Sequence, residues 1–136
     1  MTFLLDTNVL SERRKRTPDR NVTRWFADNA RADAYVSVLV TGEVREGIER
    51  IRRRDPAQAD ALERWLRELR SEYRRRILSI TVDIAEEWGR INAARRMPAA
   101  DGLMAATAKV HRLTLVTRNH ADFAACGISL LNPFEP

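Results

Sequence analysis

Two kinds of apolar pattern alternate along the chain. Short aliphatic and β-branched runs recur at Phe3-Leu4-Leu5, Tyr35-Val36-Ser37-Val38, Ile77-Leu78-Ser79-Ile80, Thr114-Leu115-Val116-Thr117 and Ile128-Ser129-Leu130-Leu131, the last closed by Asn132-Pro133. Between them apolar residues return every three or four positions, the period of a helix with one buried face. Leu62, Trp65, Leu66, Leu69 and Tyr73 trace one such face. Asp55-Pro56 ahead of it supplies an N-cap and a proline at the first helical position. Val44, Ile48 and Ile51 mark the preceding helix, and Ile84, Trp88 and Ile91 the following one, where Asp83 and Glu86 have capping-box spacing. A further helix opens at Pro98 and runs through Leu103, Met104, Ala105, Ala106 and Ala108 to Val110. It is apolar almost all round and is expected to be buried. The three tryptophans lie on helical segments and read as core. Short apolar strands separated by helices predict an α/β fold with a parallel sheet covered on both faces.

The chain of 136 residues contains no repeat and no low-complexity linker, so one domain over residues 1–136 is expected. Its single cysteine, Cys126, excludes an intrachain disulfide and fits a reducing compartment. Lying beside Gly127 among small apolar residues, Cys126 reads as packing rather than as a nucleophile. The N-terminal apolar run is too short for a signal peptide and its basic residues follow it. No stretch is long enough to span a bilayer. A cytoplasmic location is the default expectation.

Charge changes the picture. The net charge is +5 with histidine neutral, and apart from Lys15 and Lys109 the positive charges are all carried by arginine. Arginine suits bidentate contact with phosphate better than lysine does. The positive charge concentrates in Arg13-Arg14-Lys15-Arg16, extended by Arg20 and Arg24, and between Arg50 and Arg76, where Arg52-Arg53-Arg54 and Arg74-Arg75-Arg76 form triplets. Glu63 with Arg67 and Asp60 with Arg64 are spaced as helix ion pairs. The triplets have too few acidic neighbours for full pairing. They read either as solvated surface or as a phosphate-binding one.

In an open parallel sheet, ligands bind beyond the carboxyl ends of the strands. Asp6 ends the first apolar run. Glu43 lies early in the helix after the second, within SVLVTGEV. Asp122 follows the fourth, within LVTRNHADF, and Asp101 lies near the start of the buried helix, within MPAADGLMAATA. Each has a plainer reading. Asp6 could cap a helix beginning near Asn8, Asp101 and Asp122 could complement helix N-termini, and Glu43 could be solvated. Asn119 could be an N-cap with Asp122 at the third helical position. Together the four are harder to dismiss, because Asp101 interrupts an apolar helix and Asp6 terminates an apolar strand.

Four converging carboxylates need a counter-charge: two of them about 4 Å apart repel by about 4 kcal/mol at an effective dielectric of 20. Oxygen-only ligands suit Mg2+ or Mn2+ rather than zinc. His111, at a helix end, reads as a C-terminal helix cation. His120, near Asp122, could touch substrate, but reads rather as an exposed loop histidine. Such a metal cluster beside unpaired arginines points to phosphodiester hydrolysis. Thr7, Asn8, Ser37, Thr41, Thr117 and Asn119 are hydrogen-bonding groups near the same edge that could orient carboxylates or water.

The blocks FLLDTNVLSE, SVLVTGEVREGI, DGLMAATA and LVTRNHADF…LLNPFEP, in this order, resemble PIN-domain ribonucleases, and more closely the VapC-type toxins of bacterial type II toxin–antitoxin pairs. The resemblance covers essentially the whole chain. It implies a three-layer α/β/α sandwich around a parallel sheet of four or five strands, and Mg2+- or Mn2+-dependent cleavage of RNA. Carried over by position, the acidic site is Asp6, Glu43, Asp101 and Asp122, with Asn8, Thr117 and Asn119 supporting it. It implies a homodimer and a cognate antitoxin protein, with DNA engaged only through the antitoxin. Gly102, directly after Asp101, departs from a good helix start by up to about 1 kcal/mol relative to alanine.

Other classes remain. An aspartyl-phosphate phosphatase with Asp6 as nucleophile would favour an acid where Asn8 stands. A receiver domain lacks room for the long helical excursion between the second and third strands. A non-catalytic, arginine-rich RNA-binding module would keep its affinity after metal chelation and after neutralisation of Asp101. A nuclease would lose its activity under both.

Overall fold

A computed structural model describes residues 2–29 and 33–136. Five strands, β1 (Thr2–Leu5), β2 (Asp33–Ser37), β3 (Ile77–Leu78), β4 (Thr114–Val116) and β5 (Leu130–Leu131), form one parallel sheet in the order β3-β2-β1-β4-β5. Seven α-helices connect them: α1 (Thr7–Arg13), α2 (Arg20–Asp28), α3 (Val38–Ile51), α4 (Pro56–Glu72), α5 (Val82–Ala94), α6 (Ala99–His111) and α7 (His120–Phe123). The three-layer α/β/α sandwich is as expected, with five strands.

The central strand explains the first apolar run. Phe3, Leu4 and Leu5 are all 1% exposed or less, as befits a strand flanked by β2 and β4 and covered on both faces. Strand order reverses at β1. The chain first winds outward through β2 to β3, then returns to lay β4 and β5 on the other side. Right-handed crossovers then place α1–α4 on one face and α5–α7 on the other. The crevice between the carboxyl ends of β1 and β4 is thus the topological switch point, where ligands of such sheets bind.

Capping chemistry sets several boundaries. Asp55 accepts from Gln58 N at 3.0 Å, with Pro56 at the first position of α4, as its sequence indicated. Val38 starts α3 rather than ending β2, because the Ser37 hydroxyl caps the helix through Leu39 N at 3.1 Å. The cap of α5 is Thr81, whose hydroxyl accepts from Ile84 N at 3.2 Å, and not Asp83, which falls in the first turn. Helix α2, which the apolar spacing above leaves out, is capped by Asp19 through Asn21 N and Val22 N. It is joined to α1 by the buried Glu12, which accepts from Asp19 N and Lys15 Nζ.

Helices α3 and α4 pack as a hairpin tied by arginine. Glu63 faces α3 and takes the Arg45 guanidinium at 2.7 and 2.8 Å, with Arg52 at 3.4 Å. This replaces the expected Glu63–Arg67 pair: the cross-helix partner offers a two-pronged contact that an i,i+4 neighbour does not match. Among the described residues Asp60–Arg64 is not formed either. One member of each triplet is therefore structural, Arg52 here and Arg76 through the carbonyls of Ala34 and Glu72. The three tryptophans are partly buried and packed against the core, as read from their helices. No described helix is long and apolar enough to cross a membrane.

Candidate active site at the switch point

The question of whether Asp6 caps a helix or stands at a strand end has a double answer. Its backbone N–H donates to Val116 O at 3.0 Å and so prolongs the β1–β4 ladder. Its side chain is the N-cap of α1, with Oδ1 accepting from Thr7 N at 2.8 Å. The other oxygen, Oδ2, takes the Thr117 hydroxyl at 2.8 Å and Asn8 Nδ2 at 3.4 Å. Thr117 comes from the end of β4 and is fully buried. Its oxygen also accepts from Asn119 N at 3.1 Å and lies 3.3 Å from Asn8 Nδ2, while Asn8 Oδ1 accepts from Arg118 N at 3.2 Å. Asp6, Asn8, Thr117 and Asn119 therefore make one network across the switch point, Asn119 joining through its backbone.

Glu43, in the second turn of α3, reaches the same place. Its Oε1 accepts the Thr7 hydroxyl at 2.9 Å. Asp101 is the third residue of α6 and Asp122 the third of α7. Among the described residues no group donates a hydrogen bond to either carboxylate. Electrostatics link the four. Burial raises the Asp6 carboxyl above its ordinary range, against the bonds from Thr117 and Thr7 that lower it. Glu43 is raised by burial and then by the charges of Asp6 and Asp101. Asp101 is raised by burial and then by the charges of Asp6 and Asp122. None of the ion pairs among the described residues uses any of the four. A strongly basic chain thus leaves its crowded carboxylates unneutralised.

Among the described residues no three acidic, histidine or cysteine side chains already form a closed metal cage. Glu43 instead accepts a hydrogen bond from the Thr7 hydroxyl. The donor set is nonetheless all-oxygen, with open lone pairs on Asp101 and Asp122, and that suits a hard divalent ion.

Other expectations need adjustment. Ser37 caps α3, and the Thr41 hydroxyl donates to Val38 O at 2.6 Å, so both serve the helix rather than the carboxylates. His120 is half-buried as the first residue of α7 rather than in an exposed loop, and its Nε2 has no hydrogen-bond partner among the described residues. His111 does end α6, before Arg112 in the left-handed conformation. Cys126 packs with its Sγ 3.6 Å from Met97 Sδ.

Gly102, which helix propensity alone disfavours, has a packing reason. A Cβ there would lie 2.8 Å from Trp88 Cδ1 and 3.0 Å from Nε1. The indole of α5 thus rests directly on the turn that carries Asp101. Overpacking costs about 1–3 kcal/mol, which outweighs the roughly 1 kcal/mol helix gain from alanine. Gly102→Ala should therefore lower the melting temperature and also the activity, because the start of α6 must shift. A melting temperature above wild type would show that the indole yields freely.

Residues 3–127 match the PIN domain family. Over 98% of this chain and 99% of each relative, it is 31% identical to Toxin FitB of Neisseria gonorrhoeae and 31% identical to VapC ribonuclease Y4jK of Sinorhizobium fredii. It superposes with a TM-score of 0.83 on the structure of FitAB bound to an IR36 DNA fragment, at 28% identity over 100% of this chain and 97% of the other. With whole-length relatives and a shared fold, the chain belongs to the PIN-domain family.

Proposed function

We propose that the protein is a ribonuclease that hydrolyses RNA phosphodiester bonds with the help of Mg2+ or Mn2+, carried by one PIN-like domain over residues 1–136. The observation that carries this reading is the set of carboxylates at the switch point: burial raises Asp6, Glu43 and Asp101, neighbouring acids raise Glu43 and Asp101 further, and no ion pair among the described residues neutralises them. Asp6, Asp101, Glu43 and Asp122 would hold the ion. When bound, it lowers the pKa of a water, polarises the phosphoryl group and steadies the leaving oxygen. Thr117 and Asn8 keep Asp6 aimed across the crevice, and Thr7 does the same for Glu43. The backbone of Asn119 holds the Thr117 hydroxyl in that role.

The names of the relatives, a toxin and a VapC ribonuclease, support a place for this activity as the toxin of a toxin–antitoxin pair. We extend this to a homodimer that acts on cytoplasmic RNA and is inhibited by a cognate antitoxin protein. The FitAB complex on a DNA fragment supports an assembly that meets DNA; in the proposed assembly this chain engages DNA only through its antitoxin.

The test is cleavage of RNA by the purified protein with and without EDTA. Chelation should abolish cleavage, and added Mg2+ or Mn2+ should restore it. Cleavage that persists in EDTA contradicts the reading. RNA affinity without any cleavage, unaffected by chelation, selects the non-catalytic RNA-binding module instead.

A further inference from the structure

Four carboxylates repel the phosphates of a polyanionic strand, and an ion between them serves only the phosphate being hydrolysed. The flanking phosphates call for a cation of the protein beside the crevice. Arg13, Arg45, Arg50, Arg52 and Arg90 stand in ion pairs, and Arg76 binds carbonyl oxygens. Arg118 does neither, and among the unpaired arginines of the described residues it is set apart by following directly on Thr117 and bonding Asn8 in the acidic network. It is exposed, and among the described residues it pairs with no carboxylate.

Its position is tightly defined. Its N–H donates to Asn8 Oδ1, and it follows directly on Thr117, whose hydroxyl donates to Asp6. Successive Cα atoms are about 3.8 Å apart, so its stem starts one residue from the acidic network. Its guanidinium is held as well, with the central carbon 4.4 Å from the centroid of the Phe134 ring. Phe134 is itself fixed. Its N–H donates to Asn132 Oδ1 at 3.0 Å and its carbonyl accepts from Asn21 Nδ2 at 2.8 Å. Thr117 N donates to Leu131 O at 2.9 Å, anchoring the C-terminal segment to β4. The Phe134 ring holds the guanidinium carbon in place, and no carboxylate among the described residues takes up its N–H fork, which matches phosphate oxygens.

We propose that Arg118, held over the ring of Phe134, is a substrate-binding residue that grips an RNA backbone phosphate next to the one hydrolysed. This rests on the reading of the acidic edge as an RNA-cleaving site.

The experiment uses the full chain and a fluorescent single-stranded RNA, with cleavage kinetics and, in an Asp101→Asn background, binding anisotropy over a salt series. Arg118→Ala should raise KM about tenfold with kcat nearly unchanged. The slope of log affinity against log salt should become shallower by about 0.7, the share of one single-strand phosphate contact. Arg118→Lys should keep the slope and recover part of the affinity. Phe134→Ala should raise KM by less than Arg118→Ala, since the charge stays but is no longer held. Unchanged KM and slope in folded Arg118→Ala overturn the proposal. So does a loss confined to kcat, which would place the residue's effect in the Asn8–Thr117 network. If the wild-type chain binds the RNA without cleaving it, the nuclease reading falls, and the salt slope still decides the role of Arg118. If it neither binds nor cleaves, both fall.

Discussion

Replacing Asp101 with asparagine is expected to cut RNA cleavage by more than about a hundredfold, because losing a direct ligand should exceed the 10–100-fold cost of losing a supporting one. The same change should raise the thermal stability of the metal-free protein. Asp101 is held above its ordinary pKa by burial and by the charges of Asp6 and Asp122, and no donor offsets them among the described residues. A carboxyl raised in the folded state binds its proton more tightly there than in the unfolded chain. Its favourable contribution is complete below the unfolded pKa and disappears as pH rises through the folded one. The helix dipole favours a charge at the third position of α6, but it does not reverse the direction. The stability advantage of Asp101→Asn should therefore be absent in strong acid and emerge as pH rises past the carboxylate range. Melting curves across that range, beside cleavage rates, check both halves. A variant that cleaves like wild type removes Asp101 from the site.

Thr117→Val should damage both chemistry and fold. The substitution keeps shape and burial but deletes an oxygen that donates to Asp6 and accepts from Asn119 N. A buried polar group left without its partner costs about 1–3 kcal/mol, so the melting temperature should fall. Cleavage should drop about 10–100-fold, the usual effect of removing the group that orients a ligand. The Thr117 bond is the largest influence lowering the Asp6 pKa. Without it Asp6 ionises at higher pH, and the acidic limb of the cleavage profile should move upward. Thr117→Ser retains the hydroxyl and should recover most of the rate. If valine leaves the profile in place, the Thr117–Asp6 bond has no part in the reaction.

Much of this was legible in local pattern. Five apolar runs of strand length separated by helical periodicity are enough for a parallel α/β sheet, and Asp55-Pro56 marks the start of α4 without ambiguity. Asp6 stood out because an apolar strand rarely ends on a carboxylate without reason. Its being cap and strand end at once was not visible, since the second partner, Thr117, lies 111 residues away. Pairing of β1 with β4 is what joins them, and strand order is a property of the whole topology. The same limit explains Glu63. Helix spacing offered Arg67, while the hairpin of α3 on α4 offered Arg45. Helix α2 had a readable signature in Asp19 and the apolar Val22, Trp25 and Phe26, obscured by the arginines around it. Gly102 looked like a defect because the indole that requires it comes from another helix. The stack of Arg118 on Phe134 likewise depends on the C-terminal segment lying against β4.

The central claim is that folding draws carboxylates distant in sequence into one divalent-ion pocket between β1 and β4. The most direct measurement is an anomalous diffraction map of crystals of the protein grown with Mn2+. The account predicts a manganese peak about 2.1 Å from carboxylate oxygens of both Asp6 and Asp101, the bond length expected for a small hard cation. Manganese bound only elsewhere on the molecule, with the crevice between Asp6 and Asp101 filled by water alone, would contradict it.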